Sequence, residues 1–172
     1  MSIYQLPNDE LLTLGARVLE NSQKPPIKKA MATVGYDEAA FKKGRTLLDA
    51  FEQAVQHRQT EYGEQLSATD AVNDAWDAFH GETYMPHVRI ARVVFEDEGT
   101  RSRLGITGDR PQGFAEYVQE ARRFYDTIAD DDTLQSKMAE RGVDAEAVSK
   151  AQESLDQLVS LDQTQEREKA EA

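Results

Sequence analysis

The feature that most constrains how this chain folds is a heptad repeat of apolar residues that keeps its phase from Phe41 to Val93. Heptad positions a and d form one stripe along an α-helix, and a loop of arbitrary length would usually break the phase. The a positions are Phe41, Leu48, Val55, Tyr62, Thr69, Trp76, Thr83 and Ile90, and the d positions are Gly44, Phe51, Arg58, Gln65, Val72, Phe79, Pro86 and Val93. The pattern therefore predicts a coiled-coil-like helix over about residues 37–97, with a seam that is polar in the middle.

Two stretches bear on whether this helix is continuous and straight. The residues from Gly63 to Thr69 allow an alternative in which two helices meet there, with Ser67 or Thr69 as the cap. The unbroken heptad phase favours one continuous helix. Pro86 cannot donate a hydrogen bond to the Glu82 carbonyl, so Pro86 and Gly81 together predict a kink.

The rest of the chain also has helical periodicity, and no window alternates apolar and polar residues over the length of a strand. A first helix is expected from about Asn8, and a short one ends at Gly35 before Asp37 caps the long helix. A further helix is expected over 112–129, followed by a short one that stops at Gly142. The predicted fold class is all-α.

An internal repeat is indicated by the likeness of MATVGYDEAAF at 31–41 to MAERGVDAEAV at 138–148. The repeated unit reads helix, short helix, Gly-x-Asp cap, long helix, over about residues 8–65 and 114–172. We expect a single all-helical domain over 1–162 and a frayed or disordered tail over 163–172, because polar Asp162, Gln165 and Lys169 interrupt the second apolar seam. The second unit has no counterpart of residues 66–98, so either the chain is cut short or a second copy of the protein covers that surface.

The segments GYDEAAFKKGRTLLDAFEQAVQHRQTEYGEQLSATDAVNDAW, YMPHVRIARVVFEDE and EARRFYD resemble an uncharacterised family of bacterial all-helical proteins with this repeated layout. The resemblance covers most of the chain. It rests on helix punctuation and core positions, so it implies a fold and no activity.

Composition narrows the range of partners. The formal net charge of −12 repels phosphate backbones, and no basic patch counters it. The chain has no cysteine, so thiolate chemistry and disulfides are excluded. The N-terminus lacks a signal-peptide pattern, and no stretch is long and apolar enough to span a membrane. We therefore expect a cytoplasmic protein that binds neither nucleic acid nor membrane.

The strongest candidate for chemistry is Asp77-Ala78-Phe79-His80, which places a carboxylate and an imidazole one helical turn apart, as in ferritin-like metal bundles. Glu82 would be a further ligand. No second such motif occurs, and the heptad puts His80 and His87 at e positions beside the seam, where a structural role is expected. His57 falls on the outward face, and the glycine-rich residues 105–110 lack the P-loop pattern. We expect no catalytic, cofactor-binding or metal-ligating residue.

These observations favour a structural or protein-interaction bundle that associates with itself through its long helices. Polar Arg58 and Gln65 in the seam are either solvent-exposed or part of an interface with another chain. A run of large apolar residues is either core or a contact patch; it comprises Trp76, Phe79, Tyr84, Ile90, Val94 and Phe95. The alternatives are a metal-binding bundle around Asp77, His80 and Glu82, and an acidic adaptor for a basic protein.

Overall fold

A computed structural model describes residues 6–171. Its helices are α1 (Asn8–Ser22), α2 (Pro25–Ala32), α3 (Glu38–Asp77), a π-helical segment (Ala78–Tyr84), α4 (Met85–Val94), α5 (Glu98–Arg103), α6 (Phe114–Ala129), α7 (Asp132–Ala139) and α8 (Ala145–Glu171). Residues 6–171 contain no β-strand, which confirms the all-α prediction. The chain forms two compact units, Met1–Gly63 (the N-terminal unit) and Glu64–Ala172 (the C-terminal unit). The single all-helical domain over 1–162 stays a prediction.

The long helix is confirmed, since helical structure continues from Glu38 to Val94. It does not break at residues 63–69, which lie inside α3. Its start is fixed as the sequence predicted, because the Asp37 carboxylate accepts a hydrogen bond from the Ala40 backbone N–H at 2.9 Å. The later Gly-x-Asp sequence is built in the same way, with Asp144 accepting from the Ala147 N–H at 2.9 Å.

The heptad phase does not survive beyond residue 79, because the helix changes its hydrogen-bond pattern there. In the π-helical segment the bonds reach back five residues rather than four, as from the Met85 N–H to the His80 carbonyl. One extra residue in the turn moves the buried stripe forward by one position. Tyr84 and Ala91 are therefore buried where the heptad predicted Thr83 and Ile90, and Val93, a predicted seam residue, is 69% exposed.

Pro86 lies at the start of α4, directly after this change. Proline has no backbone N–H and so cannot donate a helical hydrogen bond. A proline therefore disturbs a continuing helix least at the point where the hydrogen-bond pattern changes. The feature that the sequence predicted as a kink is thus a π-helical turn.

The C-terminal unit contains a closed apolar core. Helix α6 packs along α8, and the π-helical segment and α4 pack against α8 and α7 respectively. Aromatic rings interlock at the centre, where Tyr84 stacks on Phe79 at 5.8 Å and meets Phe124 edge-on at 5.6 Å. Such ring pairs add about 0.5–1.5 kcal/mol each beyond the area that they bury.

Helix α8 remains packed beyond residue 162, where the sequence predicted a frayed or disordered tail. Gln165 is buried, and its side-chain amide donates a hydrogen bond to the Thr69 hydroxyl at 3.0 Å. Lys169 donates to the Gln165 amide oxygen at 3.1 Å. The polar seam of α8 therefore meets a polar seam position of α3, and the two polar groups satisfy each other.

The N-terminal unit is built differently, as a hairpin of α1 and α3 with α2 between them. Two close approaches set the pairing: an added Cβ at Gly15 would lie 2.9 Å from Leu48, and one at Gly44 would lie 3.0 Å from Leu19. The two helices therefore run antiparallel, with glycines where they come closest. Among the described residues of this unit no apolar side chain is fully buried.

No helix among the described residues has both the length and the apolar character needed to cross a bilayer.

Candidate functional site

Both histidines of the long helix pair with tyrosines of α6. The His80 Nδ1 lies 2.8 Å from the Tyr117 hydroxyl, and the His87 Nδ1 lies 3.0 Å from the Tyr125 hydroxyl. Burial is the main cause that raises the pKa of both tyrosines, so each hydroxyl keeps its proton and can donate it to the imidazole. Burial also lowers the pKa of His87, which favours its neutral form. Trp76 stacks on the His80 ring at 5.7 Å.

A polar cluster lies between these two pairs. The Tyr84 hydroxyl donates to Glu120 Oε1 at 3.0 Å, and Arg110 donates both to that carboxylate and to the Tyr84 oxygen, the latter at 3.2 Å. Burial first, and then the Glu120 charge, raise the pKa of Tyr84. The Arg110 and Glu120 side chains are only 15% and 16% exposed, so this ion pair is shielded from water.

These hydrogen-bonded groups join the long helix to α6 within the C-terminal unit. Every histidine or tyrosine among them is occupied by a neighbour across the packing of the long helix on α6. The predicted metal ligands do not converge: His80 pairs with Tyr117, whereas Asp77 and Glu82 are exposed. Within residues 6–171 no group of three or more histidine or acidic side chains could hold a metal ion. The arrangement gives the metal-binding alternative no support.

The glycine-rich loop before α6 is held by an arginine of α4. Arg92 donates to the Ile106 carbonyl at 3.1 and 3.2 Å and to the Gly108 carbonyl at 3.4 Å. Gly105 and Gly108 have positive φ angles of 69° and 79°, which suit glycine. The Arg92 guanidinium therefore stabilises the backbone of the loop.

The patch of large apolar residues predicted on the long helix is core. Phe79, Tyr84 and Phe95 are buried, and Trp76, Ile90 and Val94 pack partly buried against them. This half of the long helix covers the second predicted repeat, residues 114–172. Residues 114–172 are thus covered by this half of the long helix. The internal repeat itself stays a prediction.

Exposed apolar side chains concentrate in the N-terminal unit. Of nine large apolar residues that are exposed in the described part of the chain, seven lie there: Leu14, Val18, Ile27, Val34, Tyr36, Leu47 and Tyr62. Leu14 and Val18 are four residues apart and so share a stripe of α1, while Leu47 precedes the seam residue Leu48 of α3. Leu14 and Leu47 each come one position before the residues that meet between the helices, Gly15 and Leu48. Because α1 and α3 run antiparallel, residues one position before this contact lie on the same side of the hairpin. We call Leu14, Val18 and Leu47 the open apolar face.

Charged residues, like exposed apolar residues, are distributed unevenly between the two units. The N-terminal unit carries eight basic and eight acidic residues, whereas the C-terminal unit carries 12 basic and 24 acidic residues. The whole net charge of −12 therefore belongs to the C-terminal unit. A neutral surface with exposed apolar groups is prone to association, and a strongly charged one resists it.

The open apolar face was not predicted from the sequence, because the heptad pattern indicated the seam of the long helix as the surface for association. Within the N-terminal unit the seam positions Gly44 and Leu48 lie against α1, whereas the seam residue Tyr62 is 61% exposed. The signals that could have revealed the face were the pair Leu14 and Val18 beside a stripe already apolar, and the balance of charge over residues 1–63.

The fold defines an all-α helical protein in which a closed acidic unit is joined by a continuous helix to an open neutral one. The chain matches no protein-family model, no curated protein and no solved structure.

Proposed function

We propose that this protein is a structural or protein-interaction helical bundle that associates with itself through the N-terminal unit. The observation that carries the proposal is the open apolar face: Val18 is 55% exposed on a helix whose other face already packs on α3. Contiguous exposed apolar side chains mark interaction surfaces in soluble proteins. Fully burying a Val, Leu or Ile side chain contributes about 1.5–3 kcal/mol, so a few such residues on each partner can drive association.

The charge distribution supports a second copy as the partner. Two N-terminal units meet without net repulsion, because each is neutral. Two C-terminal units would oppose one acidic surface to another. Association through the N-terminal unit also leaves the acidic surfaces in solvent, where they favour solubility.

The test is the mass in solution by light scattering over a range of concentrations. The wild-type mass should rise above the 19.3 kDa of one chain as concentration increases. Val18→Glu should keep the protein monomeric, because it places a charge on the open apolar face. Val93→Glu is the matched control, since Val93 is also an exposed helical valine but lies in the C-terminal unit. A wild-type chain that stays at 19.3 kDa at every concentration would refute self-association.

A second candidate is an acidic adaptor for a basic protein, favoured by the excess of 24 acidic over 12 basic residues in the C-terminal unit. Electrostatic complexes weaken as ionic strength rises, whereas apolar association does not. A basic probe such as polylysine should therefore bind at low salt and dissociate at about 1 M salt, where the Debye length is about 3 Å. Binding that is independent of salt would contradict the adaptor role.

A further inference from the structure

We infer that the partner at the open apolar face is a second copy of the chain bound antiparallel, so that the basic end of one N-terminal unit meets the acidic end of the other. This inference rests on the proposed function and adds the surface, the symmetry and the orientation. It follows from two independent observations, a missing helical layer and a separation of charge along the hairpin.

The missing layer is apparent when α1 and α2 are compared with α6 and α7. Val18 and Phe124 are each the eleventh residue of their helices, α1 and α6, and Ile27 and Leu134 are each the third residue of α2 and α7. Phe124 and Leu134 are 0% and 5% exposed, whereas Val18 and Ile27 are 55% and 41% exposed. In the C-terminal unit Tyr84 packs on Phe124, and α4 packs on α7. No helix described within residues 6–63 covers the corresponding surface of the N-terminal unit, since Val18 and Ile27 are exposed there.

Charge separates along the hairpin because α1 and α3 run antiparallel. The end formed by residues 17–46 holds seven basic and three acidic residues. The opposite end, formed by residues 6–16 and 47–63, holds one basic and five acidic residues. The unit therefore has a net charge of +4 at one end and −4 at the other, although it is neutral as a whole.

This charge separation selects one orientation of a symmetric dimer. In an isologous dimer the same patch on both copies forms the interface. A parallel arrangement would place the two basic ends together and the two acidic ends together. An antiparallel arrangement places each basic end against an acidic end, and like charges in contact are unfavourable, so the antiparallel arrangement is preferred.

Two exposed residues report on this geometry. Glu10 lies at the acidic end, one helical turn before Leu14, and Lys43 lies at the basic end, one turn before Leu47. Each therefore flanks the open apolar face at an opposite end of the hairpin. In the antiparallel dimer Glu10 of each copy lies near Lys43 of the other, and in a parallel dimer each residue lies near its own counterpart.

Disulfide cross-linking decides the orientation, because the chain has no cysteine of its own. We expect a mixture of the variants Glu10→Cys and Lys43→Cys to form a mixed cross-linked dimer under mild oxidation, and either variant alone to cross-link much less. Strong cross-linking of each variant with itself would identify a parallel dimer and overturn the inference. Absence of cross-links in a chain that light scattering shows to be dimeric would place the interface elsewhere and also overturn it.

Charge reversal gives an independent test that separates this inference from the proposed function. Lys43→Glu and Glu10→Lys should each weaken self-association roughly tenfold, since two symmetric ion pairs become repulsive, and an equal mixture of the two should restore it. Unchanged association of both variants would overturn the antiparallel arrangement while leaving self-association intact. A monomeric wild-type chain, by contrast, would remove the proposed function itself.

Discussion

Both units of this protein contain a helix, a short helix and a long helix in the same order, but they differ in how much apolar surface is buried. In the N-terminal unit a helix of 15 residues and one of 8 precede the long helix α3, and in the C-terminal unit helices of 16 and 8 residues precede α8. Gly35 and Gly142, with positive φ angles of 90° and 85°, stand at the matching turns. Over residues 6–171, only the C-terminal unit has a fully buried apolar core. A common origin of the two units remains a prediction from the sequence.

The difference shows that this helical layout needs a further layer to close. The C-terminal unit obtains that layer from the π-helical segment and α4, which cover α6, α7 and α8. The N-terminal unit retains an open apolar face beside a seam formed by α1 and α3 alone. Since closure depends on a covering helix, a surface that lacks one is a natural site for a partner.

Removal of a core side chain should show the largest contrast between the units. Phe124→Ala should lower the free energy of unfolding by about 3–5 kcal/mol, because it leaves a cavity among buried rings. Val18→Ala, at the aligned position in the N-terminal unit, should cost less than about 1 kcal/mol at concentrations where the chain is monomeric. Urea denaturation followed by circular dichroism measures both. Equal losses of unfolding free energy would indicate that Val18 is as buried as Phe124 and would contradict the contrast between the two units.

Loss of an ion pair should also lower the free energy of unfolding more in the C-terminal unit than in the N-terminal unit. Glu120→Ala should cost about 2–3 kcal/mol, because it leaves Arg110 with a shielded charge and removes the acceptor of Tyr84. Glu38→Ala removes the exposed partner of Lys28 in the N-terminal unit and should cost less than about 0.5 kcal/mol. The two free energies of unfolding are compared at the same ionic strength. A cost for Glu38→Ala as large as that for Glu120→Ala would contradict the burial assigned to these pairs.

Replacement of a glycine by a larger residue along the hairpin should destabilise the protein only where α1 and α3 are in contact. Gly15→Leu should destabilise the protein by about 1–3 kcal/mol, because its side chain would overlap Leu48. Gly63→Ala should stabilise it by about 0.5–1 kcal/mol, because Gly63 lies within α3 and an added Cβ meets nothing within 4 Å. Thermal unfolding of the two variants provides the measurement. Stabilisation by Gly15→Leu would mean that α1 does not approach α3 at this point.

A smaller effect is expected from pH. Because burial lowers the pKa of His87 in the folded state, the unfolded chain binds more protons as pH falls below about 6.5. The contribution of neutral His87 to stability is therefore present above that pH and is lost as the pH falls through the folded-state pKa. His87→Gln should make stability less dependent on pH between about 7.5 and 5. If wild type and variant lose stability in parallel over this range, His87 is not the group responsible.

The sequence predicted the parts of the fold that depend on local pattern. The heptad from Phe41 to Phe79 specified the long helix, and Asp37 and Asp144 specified helix starts, because periodicity and capping act over a few residues. The π-helical turn was not predictable in this way. It involves packing of Tyr84 on Phe124 across the C-terminal unit, and it shifts the buried stripe away from Val93.

The candidate site was predicted less well than the fold. The structural role expected for His80 and His87 stays a prediction, and their partners Tyr117 and Tyr125 on α6 could not be identified from the sequence. The open apolar face was missed, because exposure of Val18 depends on which helices the second half of the long helix covers. That choice is made by tertiary packing, so the apolar pair Leu14 and Val18 indicates the face but does not determine its exposure.

Hydrogen exchange of the full chain at several concentrations tests the central claim most directly. Amide protection reports local opening, so a closed unit is protected at all concentrations and an open one gains protection when a partner covers it. We predict that amides of α6 (Phe114–Ala129) are strongly protected throughout, while those of α1 (Asn8–Ser22) gain protection as concentration rises. Protection of α1 that is independent of concentration and equal to that of α6 would contradict the account.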